Sequence, residues 1–284
     1  MKNFDCIYNQ DCITGMKKIP SDSIDMVITS PPYDNLRDYN NSSIWNFDIF
    51  KQVADELYRV CKTGAVVVWI VNDAMVDKSE TGTSFRQALY FKDIGFLIHD
   101  TMIWQKISPF QHHNRYIQSF EYMFVFSKRA APKTANLICD RRNKYAGTQI
   151  HGSERQKSGK TRPLSEVQKS KTVKEYGARF NIWDIPPVKQ NKTGHPAPFP
   201  VELIADYIQT WSKEGDLILD PFIGSGTTAV AAIRAKRHFL GFEVDKEYYN
   251  SAINRVKDET KLTAEPQKTK DFEEKLKECL DLLT

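Results

Sequence analysis

The stretch DLILDPFIGSGTTAVAAIRA, residues 216–235, changes from a strand pattern to a helix pattern within a few residues. Its apolar run ends at Asp220, Gly224 and Gly226 follow, and an alanine-rich segment comes next. Glycine lets a backbone turn tightly and approach a ligand closely, and the start of a helix offers free N–H groups. The stretch therefore predicts a strand, a glycine loop and a helix at the ligand-binding edge of a sheet.

An acid at the end of the next predicted strand indicates what this loop binds. Glu243 lies 23 residues past Asp220, where a carboxylate can accept hydrogen bonds from ribose hydroxyls. A purely structural turn would explain the glycines alone, but strand, helix and acid together favour a nucleotide-like ligand. Asp220 would repel a pyrophosphate and attract a cation, which favours S-adenosylmethionine over NAD.

Strand and helix patterns alternate along most of the chain. Strands are predicted at 4–11, 24–30, 65–71, 96–105, 121–127, 216–220 and 238–244. Helices are predicted at 46–62 with Gly64 as the C-cap, 84–95, 200–212, 226–236 and 246–258. This alternation predicts an α/β fold with a largely parallel sheet, which binds ligands at the carboxyl ends of its strands.

A second motif follows the predicted strand at 24–30. Ser30, Pro31, Pro32 and Tyr33 combine a hydroxyl acceptor, a stiff backbone with fixed carbonyl directions, and a flat aromatic face. These groups could hold a planar base by its amino group, since two acceptors on the amine hydrogens would aim the nitrogen lone pair at a methyl donor. A base in a duplex must be flipped out to reach such a slot.

Basic residues concentrate between the two motifs. Residues 128–192 carry 16 Lys/Arg and five Asp/Glu, a formal net charge of +11, whereas the whole chain carries +4 and the remainder −7. A basic block on an acidic body indicates a polyanionic partner, although a solvated loop region explains the charge equally well. As DNA-binding residues we predict Arg37, Arg115, Arg141, Arg142, Lys144, Arg155, Lys157, Lys160 and Arg162.

As a set, the motifs resemble those of the amino-group DNA methyltransferases, which modify cytosine N4 or adenine N6. Ser30-Pro31-Pro32-Tyr33 resembles the catalytic (D/N/S)PP(Y/F/W) motif, and residues 220–226 resemble the FxGxG cofactor motif. The catalytic motif comes first and the basic segment lies between the two, which is similar to the circularly permuted β group. The resemblance covers about 1–128 and 192–258.

The resemblance implies a Rossmann-like, S-adenosylmethionine-dependent methyltransferase fold with helices on both faces of a mostly parallel sheet. It implies four regions: a catalytic half (1–128), an inserted target recognition region (129–191), a cofactor-binding half (192–258) and a C-terminal helical tail (259–284). The cofactor-binding residues that it implies are Asp11, Cys12, His195, Asp220, Phe222, Gly224, Ser225, Gly226, Thr227 and Glu243.

The implied reaction is methyl transfer to the N4 amine of a flipped cytosine in duplex DNA, in a restriction-modification or epigenetic setting. Ser30 resembles the cytosine subgroup, whereas adenine enzymes more often carry Asp or Asn there, so adenine N6 is the alternative. An RNA or protein-glutamine methyltransferase fits the serine and the basic segment less well. A non-catalytic DNA-binding regulator would not need the intact motifs.

Other features of the sequence limit its setting and its partners. No apolar run approaches the length that spans a bilayer, and MKNFDCIYNQD at the start lacks the apolar core of a secretory signal. We therefore expect a cytoplasmic protein, in a prokaryotic cell or encoded by a phage, with no membrane partner. The five cysteines show no metal-binding spacing, so no metal is predicted. A separately acting restriction endonuclease, and a monomer or a homodimer, all fit the sequence.

Overall fold

The computed structural model describes residues 4–32, 45–106, 114–188 and 198–263 of the 284-residue chain. The chain divides into two compact units, of which the larger comprises Met1–Asn136 and Asn181–Thr284 and the smaller comprises Leu137–Phe180. The helical tail predicted at 259–284 lies outside the described residues from residue 264 onward.

The elements of both units are numbered in chain order. The strands are β1 (Cys6–Tyr8), β2 (Ile24–Thr29), β3 (Cys61–Val71), β4 (Met75–Val76), β5 (Ser79–Glu80), β6 (Phe96–Gln105), β7 (Phe120–Lys128), β8 (Arg141–Arg142), β9 (Ser153–Arg155), β10 (Thr161–Pro163), β11 (Tyr176–Gly177), β12 (Ile182–Asp184), β13 (Leu217–Asp220) and β14 (His238–Phe242). The helices are α1 (Cys12–Met16), α2 (Phe47–Val60), α3 (Thr83–Asp93), α4 (Glu166–Lys169), α5 (Val201–Trp211), α6 (Thr227–Arg234) and α7 (Lys246–Thr263).

The main sheet of the larger unit has the strand order β1-β14-β13-β2-β3-β7-β6-β12. Neighbouring strands are parallel except where β7 is involved, because β7 runs antiparallel to both β3 and β6. The central strands β2 and β3 are almost continuously apolar and buried, as expected for strands covered on both faces. The predicted largely parallel sheet is therefore confirmed.

Helices cover both faces of this sheet. On one face, α1, α2 and α3 bury residues such as Phe50 and Phe91 against Val67 and Trp69 of β3. On the other face, Tyr207 of α5 reaches strands β6 and β7, and α5 packs against α6, which in turn packs against α7. In such a sheet, ligands bind at the edge where the parallel strands end.

The strand order places a topological switch between β13 and β2. After β13 the chain crosses through α6 to β14 on one side, and after β2 it crosses through α2 to β3 on the other. In open α/β sheets the crevice at such a point is where ligands bind. The two sequence motifs follow these two strands, so the fold brings them together although about 190 residues separate them.

Two local predictions were wrong. Gly64 does not cap α2, because α2 ends at Val60 and Cys61 leads directly into β3; Gly64 lies inside that strand with φ +76°. The first strand is shorter than 4–11, since β1 ends at Tyr8. In both places the polarity pattern was right for the segment but could not locate the boundary.

The basic segment is less uniform than its composition indicates. Its strand β12 pairs in parallel with β6 and extends the main sheet by one strand, with Trp183 in register with Trp104. The smaller unit contains the antiparallel pairs β9–β10 and β8–β11 and the single-turn helix α4. In the described ranges, no helix is long and apolar enough to cross a membrane.

Candidate active site

The two motifs lie side by side at the carboxyl ends of β2 and β13. These strands pair in parallel with Met26 opposite Ile218 and Val27 opposite Leu219. The Ser30–Pro32 turn therefore emerges next to the loop that begins at Asp220. Ser30 and Pro32 are partly exposed and Pro31 is buried, whereas Tyr33 lies outside the described residues.

Asp220 forms the junction between the two motifs. One carboxylate oxygen, Oδ1, accepts from Thr29 Oγ1 at 2.6 Å and from the Phe222 amide at 3.0 Å, and the other, Oδ2, accepts from Thr228 Oγ1 at 2.6 Å. Burial raises the pKa of Asp220 to about 6, and the three donors oppose that rise. The predicted cofactor acid thus has internal partners that motif matching did not reveal.

The glycine loop owes its shape to two positive φ angles. Gly224 has φ +52° and Gly226 has φ +84°, a region that costs little only for glycine. A Cβ on Gly226 would also approach Ala252 of α7 to 3.0 Å. Gly226 is the N-cap residue of α6 and offers no side-chain cap, so the first amides of the helix face the loop.

Glu243 closes the loop from the end of β14. Its Oε2 accepts from the Gly224 amide and its Oε1 from the Asp245 amide, both at 2.9 Å. Burial raises the pKa of Glu243 to about 7, the two amides lower it, and the negative charges of Asp245 and Asp220 raise it further. Each carboxylate oxygen retains a lone pair, so the side chain can still accept from a diol.

Arg255 of α7 supports the glycine loop from behind. Its Nη1 donates to Ser225 O at 2.7 Å, to Ser225 Oγ at 3.1 Å and to Thr227 Oγ1 at 3.2 Å. Burial and the charge of Arg234 lower the pKa of Arg255 from its ordinary value. The predicted cofactor residues Ser225 and Thr227 are therefore held by a side chain that sequence reasoning missed.

Asp11 and Cys12 begin the short helix α1. Asp11 is the N-cap and its Oδ1 accepts from the Thr14 amide at 2.8 Å, while its side chain stays exposed. Cys12 is buried, and burial together with the Asp11 charge raises the pKa of its thiol. Since β1 runs parallel to β14, both residues lie at the same sheet edge as Glu243.

An aromatic wall borders the loop. Phe222 packs edge-on against Trp45, with ring centroids 5.3 Å apart, and lies 6.5 Å from the ring of Trp69. Trp69 in turn donates from Nε1 to Gln87 Oε1 at 2.8 Å. Phe222 is partly exposed, and these ring contacts fix its orientation.

The predicted DNA-binding residues differ in their surroundings. Arg162 pairs with Glu154, Arg141 donates to Ala178 O and covers the Phe180 ring, and Arg115 of the larger unit contacts Glu80 and the carbonyl of Lys78. Across the smaller unit, which is described throughout, no acidic partner is recorded for Arg142, Lys144, Arg155, Lys157 and Lys160. Arg37 and His195 lie outside the described residues.

Sequence reasoning also missed Thr29 and Thr228. Both flank predicted motifs, in TSPPY and GSGTT, so their position was a signal, but only the fold shows that they share one carboxylate. Arg255 had no local signal, because it lies 30 residues from Ser225. In the described ranges, no group of three or more His, Cys, Asp or Glu residues could hold a metal ion.

A mostly parallel sheet with a glycine loop, an acid and a hydroxyl–proline turn at one switch point defines a Rossmann-like methyltransferase fold. The solved structures that share this fold include the following two. PvuII DNA methyltransferase (cytosine-N4-specific) has a TM-score of 0.65 and 21% identity, covering 94% of this chain and 90% of that one. A Thermus thermophilus protein named as a DNA modification methylase, solved with S-adenosyl-L-methionine, has a TM-score of 0.61 and 23% identity, covering 89% and 93%.

The particular family follows from the sequence comparison. Residues 24–254 match the family model for DNA methylase, and the chain belongs to that family. The Bacillus amyloliquefaciens orphan methyltransferase M.BamHII is 50% identical over 244 residues, covering 83% of this chain and 89% of the relative. The Escherichia coli DNA adenine methyltransferase YhdJ is 27% identical over 265 residues, covering 88% and 82%.

These findings confirm the predictions of an amino-group DNA methyltransferase family and of its fold. The predicted cofactor, S-adenosylmethionine, agrees with the ligand bound to the Thermus protein. The relatives include one named for adenine, and the structural neighbours include one named for cytosine N4. The family is therefore established at the level of amino-group methylation of DNA.

Proposed function

We propose that this chain transfers a methyl group from S-adenosylmethionine to the N4 amine of a cytosine flipped out of duplex DNA. The observation that carries the proposal is the 2.6 Å hydrogen bond from Thr29 to Asp220, which ties the Ser30–Pro32 turn to the glycine loop. A base-holding turn and a cofactor-holding loop in contact are the geometry that a direct transfer requires.

The cofactor lies along the carboxyl ends of β13, β14 and β1 in this proposal. Bound S-adenosylmethionine supplies a methyl group on a sulfonium centre, and its ribose hydroxyls donate to the free lone pairs of Glu243. The carboxylate of Asp220 gives this edge the negative charge that suits a cation. Asp11 and Cys12 would hold its adenine, and His195, which lies outside the described residues, would contact its methionyl end.

The catalytic turn holds the base. The Ser30 hydroxyl and a carbonyl of the Pro31–Pro32 segment accept hydrogen bonds from the amine hydrogens, and Tyr33 stacks on the ring. The two acceptors draw the nitrogen toward a tetrahedral shape, so its lone pair forms the new bond as the methyl–sulfur bond breaks. Water takes the released proton.

Cytosine N4 is proposed rather than adenine N6 because the first motif residue is Ser30. The motif resembles the cytosine subgroup, and a solved neighbour with the same fold is cytosine-N4-specific. The relative named as a DNA adenine methyltransferase makes adenine N6 the second candidate. Relatives named as type II methyltransferases, such as M.BglII of Bacillus subtilis, support a restriction-modification setting.

The smaller unit provides the DNA-binding surface in this proposal. It carries eleven Lys/Arg and four Asp/Glu, a formal net charge of +7, and none of its residues is buried. The antiparallel pair β9–β10 presents Arg155, Lys157 and Lys160 around a tight turn closed by Gln156 and Gly159. A two-stranded ribbon of this kind fits the major groove, and its cations suit phosphates.

Product analysis tests the reaction and the base together. The protein is incubated with methyl-labelled S-adenosylmethionine and mixed-sequence duplex DNA, which is then digested to nucleosides. We expect labelled N4-methylcytosine. Labelled N6-methyladenine would replace the cytosine assignment. Unlabelled DNA together with measurable cofactor binding would indicate a non-catalytic DNA-binding regulator. In parallel incubations with RNA or with protein as the acceptor, label in RNA or in glutamine would instead identify one of the other reactions.

A further inference from the structure

We infer that Thr29 is a positioning residue, which fixes the catalytic turn relative to the cofactor loop through the carboxylate of Asp220. Thr228 anchors the start of α6 to the same carboxylate. This inference rests on the proposed methyl transfer, and it adds two residues that the motifs do not assign. It predicts that the Thr29 hydroxyl affects methyl transfer and that the Thr228 hydroxyl affects cofactor binding.

The parallel pairing between β2 and β13 ends before the turn begins. It stops at Val27 opposite Leu219. By the same register, Thr29 falls opposite Pro221, which has no N–H to continue the ladder. On its other side, Thr29 remains in register with Trp69 of β3. Beyond the end of that pairing, the side-chain bond from Thr29 to Asp220 connects the end of β2 with the start of the glycine loop.

The bond belongs to a buried group of three side chains. Thr29 is 1% exposed, Thr228 is 3% exposed and Asp220 is 4% exposed. A buried hydroxyl or carboxylate without partners costs stability, and here each hydroxyl donates to a different carboxylate oxygen at 2.6 Å. Since hydrogen bonds to an ionised acceptor are short and directional, the group fixes distances across the sheet edge.

The two hydroxyls lead to different parts of the site. Thr29 immediately precedes Ser30, so its bond sets where the base-holding turn sits. Thr228 lies in the first turn of α6, directly after the glycine loop, so its bond sets where the first amides of the helix point. Loss of the first should slow transfer, because a misplacement of about 1 Å can cost about 100-fold in rate. Loss of the second should weaken cofactor binding.

Isosteric variants separate the two effects. Thr29→Val and Thr228→Val remove a hydroxyl and keep the shape, and Thr29→Ser retains the donor. Thr210→Val is the matched control, because Thr210 is also buried and donates to Asp206 O in α5, away from the site. Cofactor Kd is measured by calorimetry and methyl transfer by single-turnover assay, with thermal unfolding of each variant alongside.

We expect Thr29→Val to slow single-turnover transfer about 10- to 100-fold while cofactor Kd changes less than about threefold. Thr29→Ser should stay within about threefold of the wild type, and Thr228→Val should raise cofactor Kd about tenfold. Wild-type transfer by Thr29→Val, an equal loss in Thr29→Ser, or an equal loss in Thr210→Val would each overturn the inference.

A crystal structure of Thr29→Val distinguishes this inference from the proposed function. We expect residue 31 to move away from residue 224 relative to the wild type, whatever reaction the enzyme catalyses. An unchanged separation would overturn the inference. If the wild type transfers no methyl group to DNA while the separation does change, the proposed function fails and the positioning role of Thr29 stands.

Discussion

Residues 220–228, apart from the partly exposed Phe222, are buried, and they are hydrogen-bonded within the chain, whereas no residue of the smaller unit, Leu137–Phe180, is buried. In the first region, Asp220 and Ser225 have partners from β2, α6 and α7. In the second, Lys157 and Lys160 extend from a ribbon whose neighbours are themselves exposed. The glycine loop is therefore defined by its fixed geometry, whereas the surface of the smaller unit is defined by its charge.

The difference indicates how each region binds. A loop that is already ordered loses little conformational entropy when a ligand binds. Its affinity for the ligand therefore depends on contacts that are shielded from solvent. An exposed cationic surface gains affinity by releasing counterions from DNA, which makes binding depend steeply on salt. Substitutions should therefore have large, localised effects in the loop and small, distributed effects in the smaller unit.

Alanine substitutions at two glycines with nearly the same φ should give the largest contrast in stability between the two regions. Gly226 has φ +84° and a Cβ there would meet Ala252 at 3.0 Å, whereas Gly159 has φ +82° with nothing within 4 Å. Gly226→Ala should destabilise by about 3 kcal/mol, from strain plus overpacking. Gly159→Ala should cost about 1 kcal/mol, from strain alone.

Urea unfolding and cofactor calorimetry check this contrast. Gly226→Ala should also raise cofactor Kd by at least about 100-fold, because the loop must move away from α7. Gly159→Ala should leave cofactor Kd unchanged. Equal losses of stability in the two variants would show that Ala252 does not constrain the loop.

The effect of pH on cofactor Kd should be smaller than that of Gly226→Ala and larger than that of single cations. The pKa of Glu243 is about 7, and Asp245 and Asp220 face it with negative charges. In the proposed complex the ionised carboxylate accepts from the ribose, so cofactor Kd should rise toward tenfold per pH unit as pH falls below about 7. Calorimetry between pH 5.5 and 8 measures this rise, with Glu243→Gln as a control that should show a much flatter profile.

The sign of the stability change separates this effect from acid unfolding. The folded pKa of Glu243 is higher than its unfolded value, so the folded protein binds this proton more tightly. Its contribution to the free energy of unfolding therefore increases as pH falls from about 7 toward 5. Cofactor Kd that decreased in acid would mean that Glu243 binds as a hydrogen-bond donor instead.

Single cations of the β9–β10 ribbon should have the smallest effects. Lys157→Ala and Lys160→Ala should each weaken DNA binding a few-fold and reduce the slope of log K against log salt by about 1. Arg162→Ala should change this slope less, because Arg162 pairs with Glu154. Fluorescence anisotropy with labelled duplexes at several salt concentrations measures all three. A larger slope change for Arg162 than for Lys157 would contradict the assignment of free and paired cations.

The difference between buried and exposed regions also explains which features could be predicted from the sequence. Buried strands have a composition that identifies them, and β6 was predicted at its observed limits, 96–105. The glycine loop and Glu243 could be predicted because a tight turn and a strand-end acid leave local patterns. The short strand β12 was hidden in a polar segment, where one buried residue, Trp183, is too little signal.

The site residues that sequence reasoning missed were missed for the same physical reason. Thr29 and Asp220 are 191 residues apart, and Arg255 is 30 residues from Ser225, so only the folded chain brings them together. Charge alone fitted a polyanion-binding segment and a solvated loop equally well, and it did not separate the free cations from those paired as Arg162 is with Glu154. Pairing is a property of geometry, which one sequence does not encode locally.

Salt dependence of the two binding reactions tests the contrast most directly. Cofactor Kd and duplex DNA Kd of the wild-type protein are measured by calorimetry and anisotropy at 50 and 200 mM NaCl. If the glycine loop is a preformed cofactor site and the smaller unit is a cationic DNA surface, cofactor Kd should change less than about twofold and DNA Kd should rise at least about 100-fold. Equal salt dependence of the two affinities would contradict the division of the molecule into a geometric site and an electrostatic surface.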